Sequence, residues 1–347
     1  MSRQVDPSPS DAAAASKEGV LPVGIVGLGV DLPDEVVTND DWAAVLDTSD
    51  EWIRTRTGIR ERRRIDDDDS TSDLAVRAGR AALDDAGLQP EDVSAVIVAT
   101  TTPDHVMPQT GPIVAGKLGI ESAAFDVGAA CTGFIYGLQV AATLVATGQQ
   151  EPVLLIGAEA LTRFIDEQDR STAVLFGDGA GACVLASGNG SLGPFDLGSD
   201  GSLADTLIVP AGGASEPASE ETVAARRHFL TMEGGETYRH AVARMAASCR
   251  TVLDQAGVDV ETVDLLVGHQ ANERILKAVA SRVGLSEEQA FIDIDRVGNT
   301  SAASIPIALA DARDDGLLKP GARVLLTGFG AGLTWGSCLL TVPEDGG

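Results

Sequence analysis

The sequence predicts a mixed α/β protein made of two copies of one unit, with sheets covered by helices, and three observations carry that prediction. Residues 83–98 (LDDAGLQPEDVSAVIV) match 253–268 (LDQAGVDVETVDLLVG) at six of sixteen positions, with an offset of 170. The same offset lays GAACTGFIYGL (128–138) on GNTSAASIPIA (298–308), and an offset of 171 lays VLLIGA (153–158) on VLLTGF (324–329). Three segments within one residue of the same spacing mark an internal repeat. In both copies, apolar runs of strand length alternate with amphipathic runs of helix length, the pattern of a sheet with helices packed on it.

Taken in order, residues 1–20 (MSRQVDPSPSDAAAASKEGV) lack an apolar segment and read as a disordered tail rather than a signal peptide. The first copy, 21–190, holds a helix over Leu74–Ala86, a strand over Ala95–Thr100, a buried helix reached through the small residues around Cys131, and two apolar strands about Gly-rich turns. The second copy, 191–347, repeats this with a helix over Tyr238–Ala256 and a strand over Leu265–Gly268. Polar, Ala- and Glu-rich sequence at 211–228 interrupts it as a surface excursion. If the copies pack about a pseudo-twofold axis, the two buried helices, starting at Cys131 and Ser301, converge at the centre.

With 347 residues, 44% hydrophobic but only 4% aromatic, the chain can bury a large core of Val, Leu, Ile and Ala. Acidic residues number 52 against 25 basic ones, for a net charge of -27, which disfavours nucleic-acid binding. No stretch of 18 apolar residues offers a membrane span, so a cytoplasmic protein is expected. Against the acidic background, Arg54, Arg56, Arg60, Arg62, Arg63 and Arg64 form a basic cluster open to an anionic ligand. The four cysteines (131, 183, 249 and 338) form no CxxC pair, which speaks against a zinc site or a disulfide framework. Cys183, Cys249 and Cys338 sit in strand-like or helix-like apolar runs and read as core.

Cys131 differs because it stands where a helix starts, among Gly128, Ala129, Ala130, Thr132 and Gly133. Unsatisfied N–H groups and the helix dipole favour a thiolate there, and small neighbours admit a substrate carbonyl. From that segment alone, nucleophile and packed cysteine are equally open readings. His269 directly follows an apolar strand (DLLVGHQAN), and Asn299 precedes the second central helix (DRVGNTSAAS). Singly, each has an ordinary reading, a satisfied buried imidazole and a helix N-cap. Jointly, at pseudo-equivalent positions around Cys131, they favour catalysis.

The segments DTSDEWIRTRTGIRERR (47–63), DVGAACTGFIYG (126–137), LFGDGAGACVL (175–185), GHQANERI (268–275), RVGNTSAASIP (296–306) and GFGAGLTWGS (328–337) occur in that order within 21–342. With them the chain resembles the β-ketoacyl-acyl carrier protein synthase III family of the thiolase superfamily. The resemblance implies a five-layered αβαβα fold and a homodimer. It implies a decarboxylating condensation of a short acyl-CoA with malonyl-acyl carrier protein, initiating fatty acid synthesis, with a starter-unit ketosynthase or acyltransferase of a polyketide pathway as the alternative. Cys131 would carry the acyl group. His269 and Asn299 would donate hydrogen bonds to the malonyl thioester carbonyl during decarboxylation, and the backbone N–H groups of Cys131 and Ala331 would form the oxyanion hole.

By the same resemblance Trp52 and Arg170 flank the CoA adenine, Arg56 meets the phosphates, and Asn272 belongs to the site beside His269. Arg239, Arg274 and Arg282 form the patch that docks the acidic carrier protein. No cofactor or metal is implied, since acyl-CoA is a substrate. Two positions depart from the family pattern: Met107 stands at the acyl-pocket gate where an aromatic is common, and Glu233 follows the Thr231–Met232 pair. A flexible Met there predicts tolerance of longer or branched starters. The retained nucleophile argues against a silent binding partner. A hydroxymethylglutaryl-CoA synthase type would need a glutamate acting as acid or base near Cys131.

Overall fold

A computed structural model describes residues 19–344, so the tail read over 1–20 lies outside the described residues apart from Gly19 and Val20. The first half contains β1 (Leu21–Asp31), α1 (Asp50–Thr57), α2 (Thr71–Ala86), β2 (Ala95–Ala99), α3 (Thr110–Leu118), β3 (Ala123–Val127), α4 (Gly133–Ala146), β4 (Val153–Glu159) and the long β5 (Gly179–Ser199). The second contains α5 (Gly234–Ala256), β6 (Leu265–Gly268), α6 (Glu273–Val283), α7 (Ser304–Asp314), β7 (Arg323–Gly330) and β8 (Thr334–Thr341). The helix expected from Leu74 starts earlier, at Thr71, because Ser70 and Asp73 close a capping box ahead of it.

The strands pair in the same way in each half. In the first, β1, β5, β4, β2 and β3 are neighbours in that order, antiparallel, antiparallel, parallel and parallel. In the second, β5, β8, β7 and β6 follow the same sequence of senses, and a parallel bridge from Leu266 to Ala290 stands where β3 stands in the first. β5 serves both: its start lies on β4, and Ser191–Ser199 lies on β8. The division drawn at residue 190 therefore falls inside one strand. Gly188 and Gly190 there have φ of 81° and 100°, a conformation that only glycine adopts without strain, where the chain passes from one pairing to the other.

Three apolar clusters define the layers. The central one joins α4 (Phe134, Ile135, Leu138) and α7 (Ile305, Leu309) to both sets of strands. A second packs α2 and α3 on one outer face, and a third packs α5 and α6 on the other. The result is the αβαβα stack, with the two buried helices at its centre. No described helix is long and apolar enough to cross a membrane.

The repeat is real, but its register at the centre differs from the expected one. Ala130 and Ser301 are the residues with matching left-handed backbones (φ 48° and 49°), and the turns Ala130–Thr132 and Ser301–Ala303 lead equally into α4 and α7. Ser301 is therefore equivalent to Ala130, and Cys131 to Ala302. The offset of 170 holds for β2 and β6, and one extra residue between Gly268 and Thr300 makes it 171 at the turns.

Candidate active site

Cys131 sits inside the turn that starts α4, and the loop after β7 is pressed against it. A Cβ built on Gly330 would lie 2.8 Å from the Cys131 nitrogen, so only glycine allows the GFGAGL loop to pass so close. Two cavities meet at this cysteine. One, of about 170 Å³, is bounded by Cys131, His269 and Asn299, with Leu207, Tyr238 and Phe329 among its apolar walls. The other, of about 280 Å³, is lined by Cys131, Ser301 and Ala331 together with the apolar Leu161, Phe164 and Leu230. The two predicted oxyanion-hole residues thus line one cavity, and the predicted nucleophile, His269 and Asn299 line the other.

The expected resting thiolate is not what this environment favours. The residue keeps some accessible surface, but its sulfur is enclosed, and enclosure pushes the thiol up to about 12, with the nearby charge of Glu159 adding and the Ser301 hydroxyl opposing. A helix terminus contributes about 1 kcal/mol, whereas full desolvation shifts a pKa by several units, so burial wins. Cys183, Cys249 and Cys338 are buried core residues, as the sequence implied.

β6 delivers His269 at its end, where the His269 N–H donates to Thr327 O at 2.8 Å. The ring is buried, which pushes its pKa down to about 4, so it is neutral at pH 7. Its Nδ1 lies 2.7 Å from Ser304 Oγ, which is also 2.7 Å from Ser301 O. The Ser304 hydroxyl donates to Ser301 O and accepts from Nδ1–H, and because Ser304 N–H also donates to that carbonyl, the hydroxyl can turn to donate to bare Nδ1 without leaving the carbonyl unpaired. Either tautomer is therefore held in the same orientation. Asn299 is fixed as firmly: its Oδ1 accepts from Ser301 N–H at 2.9 Å, which leaves Nδ2 for the cavity.

The remaining predicted residues divide. Trp52 carries two guanidinium groups, Arg56 at 4.6 Å and Arg170 at 4.7 Å from its ring centre. Trp52 and Arg170 are in contact, so the expected gap for an adenine between them is closed. Asn272 lines the first cavity, but its Nδ2 donates to Arg56 O and its Oδ1 accepts from Arg274 N–H, so the side chain is a helix cap and a tie to α1. Met107 does not line either cavity: it is 86% exposed, beside Val106 at 95%. Glu233 is exposed at the N-cap of α5 and is not on a cavity wall.

The basic cluster is mostly spent on structure. Arg62 is buried and donates to Val37 O, Asn39 Oδ1 and Val174 O, while Arg54, Arg60, Arg63 and Arg64 pair with Asp50, Asp295, Glu61 and Glu167. Of the predicted docking patch, Arg239 is paired with Glu236, whereas Arg274 lies over the Tyr238 ring. Arg274 and Arg282 have no ion pair among the described residues, and Arg250 donates to Arg282 O. The 211–228 segment is tied to Asp166 by Arg226, is closed on itself by the Arg227–Glu216 pair, and contains a short helix, Glu220–Ala224.

Sequence reasoning missed Ser304 and Glu159 beside the cysteine and read Ser301 only as the start of the second central helix. A buried acid closing the apolar strand VLLIGAE was the available signal.

The family patterns described as 3-Oxoacyl-[acyl-carrier-protein (ACP)] synthase III and its C-terminal part match residues 125–201 and 253–342. Beta-ketoacyl-[acyl-carrier-protein] synthase III 5 of Streptomyces coelicolor is 50% identical over 325 residues, 92% of this chain and 97% of the relative. The crystal structure of 3-oxoacyl-(acyl carrier protein) synthase III from Pseudomonas aeruginosa PAO1 has a TM-score of 0.86 at 45% identity, covering 93% of this chain and 99% of that one. The priming β-ketosynthase of the R1128 polyketide pathway reaches a TM-score of 0.86 at 35% identity, over 93% and 96% of the two chains. Similarity of this depth over nearly the whole length shows the family: the chain belongs to the 3-oxoacyl-[acyl-carrier-protein] synthase III family, which are condensing acyltransferases.

Proposed function

We propose that this chain condenses an acyl-CoA starter with malonyl-acyl carrier protein to give 3-oxoacyl-acyl carrier protein and carbon dioxide, the first carbon–carbon bond of fatty acid synthesis. The observation that carries this reading is the Asn299 amide, which has its oxygen engaged and its Nδ2 left for a cavity it shares with Cys131 and His269. Acyl transfer alone needs a nucleophile and a base. A second fixed donor suits a reaction that builds charge on a thioester oxygen.

In the first half-reaction Cys131 gives its proton to His269 Nε2, and the sulfur attacks the carbonyl carbon of acyl-CoA. The Cys131 and Ala331 N–H groups hold the oxyanion, the carbon–sulfur bond to CoA breaks, and CoA leaves with the proton. In the second, the malonyl thioester oxygen accepts from Asn299 Nδ2 and from His269 Nε2–H. The bond to the carboxylate breaks, carbon dioxide leaves, and the enolate carbon attacks acyl-Cys131, releasing a thiolate that takes a proton from solvent. The two steps need opposite His269 tautomers, and the Ser304 hydroxyl serves both.

Trp52, Arg56 and Arg170 would receive the CoA nucleotide once Arg170 leaves the ring, while Arg274 and Arg282 would meet the carrier protein. A homodimer is part of the proposal: exposed Val106 and Met107 suit an interface, and Met107 reaches an acyl pocket only from a second copy. We place the enzyme in the cytoplasm, where its thioester substrates occur. No observation favours a polyketide starter role. The test is intact-mass measurement: one acyl group should appear on Cys131 with acyl-CoA and disappear when malonyl-acyl carrier protein is added, and Cys131→Ala should do neither. Acylation that survives Cys131→Ala would refute the assignment.

A further inference from the structure

Beneath the Cys131 turn lies a buried acid that the condensation itself does not use. Glu159 ends β4, is fully buried, and is met by the Thr100, Thr101 and Thr102 hydroxyls (3.3, 3.0 and 2.8 Å), the Thr101 N–H (3.1 Å) and the Ser301 hydroxyl (3.0 Å). Ser301 also lines the second cavity beside Cys131. It holds a left-handed backbone that serine rarely adopts (φ 49°), fixed by its N–H on Asn299, its hydroxyl on Glu159 and its carbonyl under Ser304.

A serine hydroxyl has one hydrogen, and both a carboxylate and a thiolate need it. In the structure it is turned to Glu159. We propose that Glu159 is a positioning residue that acts on Cys131 through Ser301, competing with the sulfur for that single hydrogen. Cys131 then rests as a thiol, and the hydroxyl swings to the sulfur when His269 takes the proton. The titratable groups around this hydroxyl are Cys131 from the turn before α4, Glu159 from β4 and His269 from the end of β6; the threonines after β2 carry no charge. Burial raises the Glu159 pKa against its donors, and its remaining charge opposes the thiolate. A protonated resting cysteine is also spared oxidation between turnovers.

The inference rests on Cys131 being the nucleophile, and the experiment separates the two. The rate of Cys131 alkylation by iodoacetamide, read by peptide mapping, is followed against pH in the parent, E159Q, S301A and the double variant. E159Q removes the charge and leaves only a neutral amide oxygen as the weaker competitor, so its profile should move down by about one pH unit, roughly tenfold in rate at a pH below the midpoint. S301A removes the donor to the thiolate and should move it up by a similar amount; Ala130 in the equivalent backbone shows that alanine fits there. In the double variant the E159Q effect should shrink, since the linking hydroxyl is gone. Profiles of E159Q and S301A that superimpose on the parent overturn the relay while leaving the nucleophile intact. Failure to label Cys131 in the parent overturns the nucleophile itself. Should E159Q prove insoluble, E159D takes its place: the shorter acid draws the carboxylate back from the Ser301 hydroxyl and should move the profile down, and an unchanged profile overturns the relay.

Discussion

The Ser301 N–H donates to Asn299 Oδ1 at 2.9 Å, and this bond decides which end of the Asn299 amide meets substrate. With the oxygen engaged, Nδ2 is the end left without a partner among the described residues, so Asn299 is set to donate. In the proposed mechanism Ser301 is thus tied to both half-reactions: its backbone orients the proposed decarboxylation donor, and its hydroxyl, held by Glu159, shares a cavity with Cys131.

Asn299→Ala should therefore separate the half-reactions. It removes a donor used mainly in the decarboxylation transition state, a loss on the order of 3 kcal/mol, or roughly a hundredfold in rate. Self-acylation of Cys131 should stay near the parent rate. The measurement is carbon dioxide release from malonyl-acyl carrier protein beside single-turnover acylation, and release at the parent rate would remove Asn299 from the mechanism.

Much of this was legible in the sequence because it depends on local pattern. The repeat, the strand Leu265–Gly268, and the placing of Cys131, His269 and Asn299 at element ends all follow from periodicity and small-residue runs. What was not legible depends on contacts distant in the chain. Glu159 and Ser301 are 142 residues apart, and nothing local to either announces the bond. The Cys131 ionisation was misread for the same reason, since the dipole is local and the burial is tertiary. Met107 is exposed and lines neither cavity, so the gate expected from the resemblance does not form within one copy of the chain.

The basic patch divides by its pairing. Charge reversal at Arg274, which has no ion pair among the described residues, should lower kcat/KM for malonyl-acyl carrier protein by about tenfold while sparing acylation by acyl-CoA. Reversal at Arg239, already matched by Glu236, should do less. Titrating carrier protein at several salt concentrations checks this. Equal losses in both half-reactions would mean that the patch does not dock a protein.

Met107→Phe should change the ranking of starters only through a dimer. Replacing a flexible side chain with a rigid ring should disfavour longer or branched acyl-CoAs relative to acetyl-CoA by several-fold. The companion measurement is mass by light scattering. If the protein is monomeric and the ranking is unchanged, Met107 is a surface residue and the pocket is closed by the chain's own Leu161, Phe164 and Leu230.

Asp293 supplies a prediction about stability. Its carboxylate is buried, neither oxygen has a partner among the described residues, and burial pushes its pKa up to about 7, with Arg296 partly opposing and Asp295 adding. A carboxyl that keeps its proton in the fold up to about 7, against 3.8 for the unexposed-to-fold reference, gives stability that is full below 3.8 and is lost as pH rises to about 7. Asp293→Asn abolishes that titration. Relative to the parent, the variant should therefore gain about 3 kcal/mol between pH 5 and pH 8, at about 1.4 kcal/mol per unit over the two units of titration. The Asn amide lacks partners too, but that cost does not change with pH. His269, pushed down to about 4, titrates alike in both proteins and cancels. Denaturant unfolding at the two pH values reads the difference directly, and a variant-to-parent gap that stays constant would show that Asp293 is not the buried carboxyl that titrates.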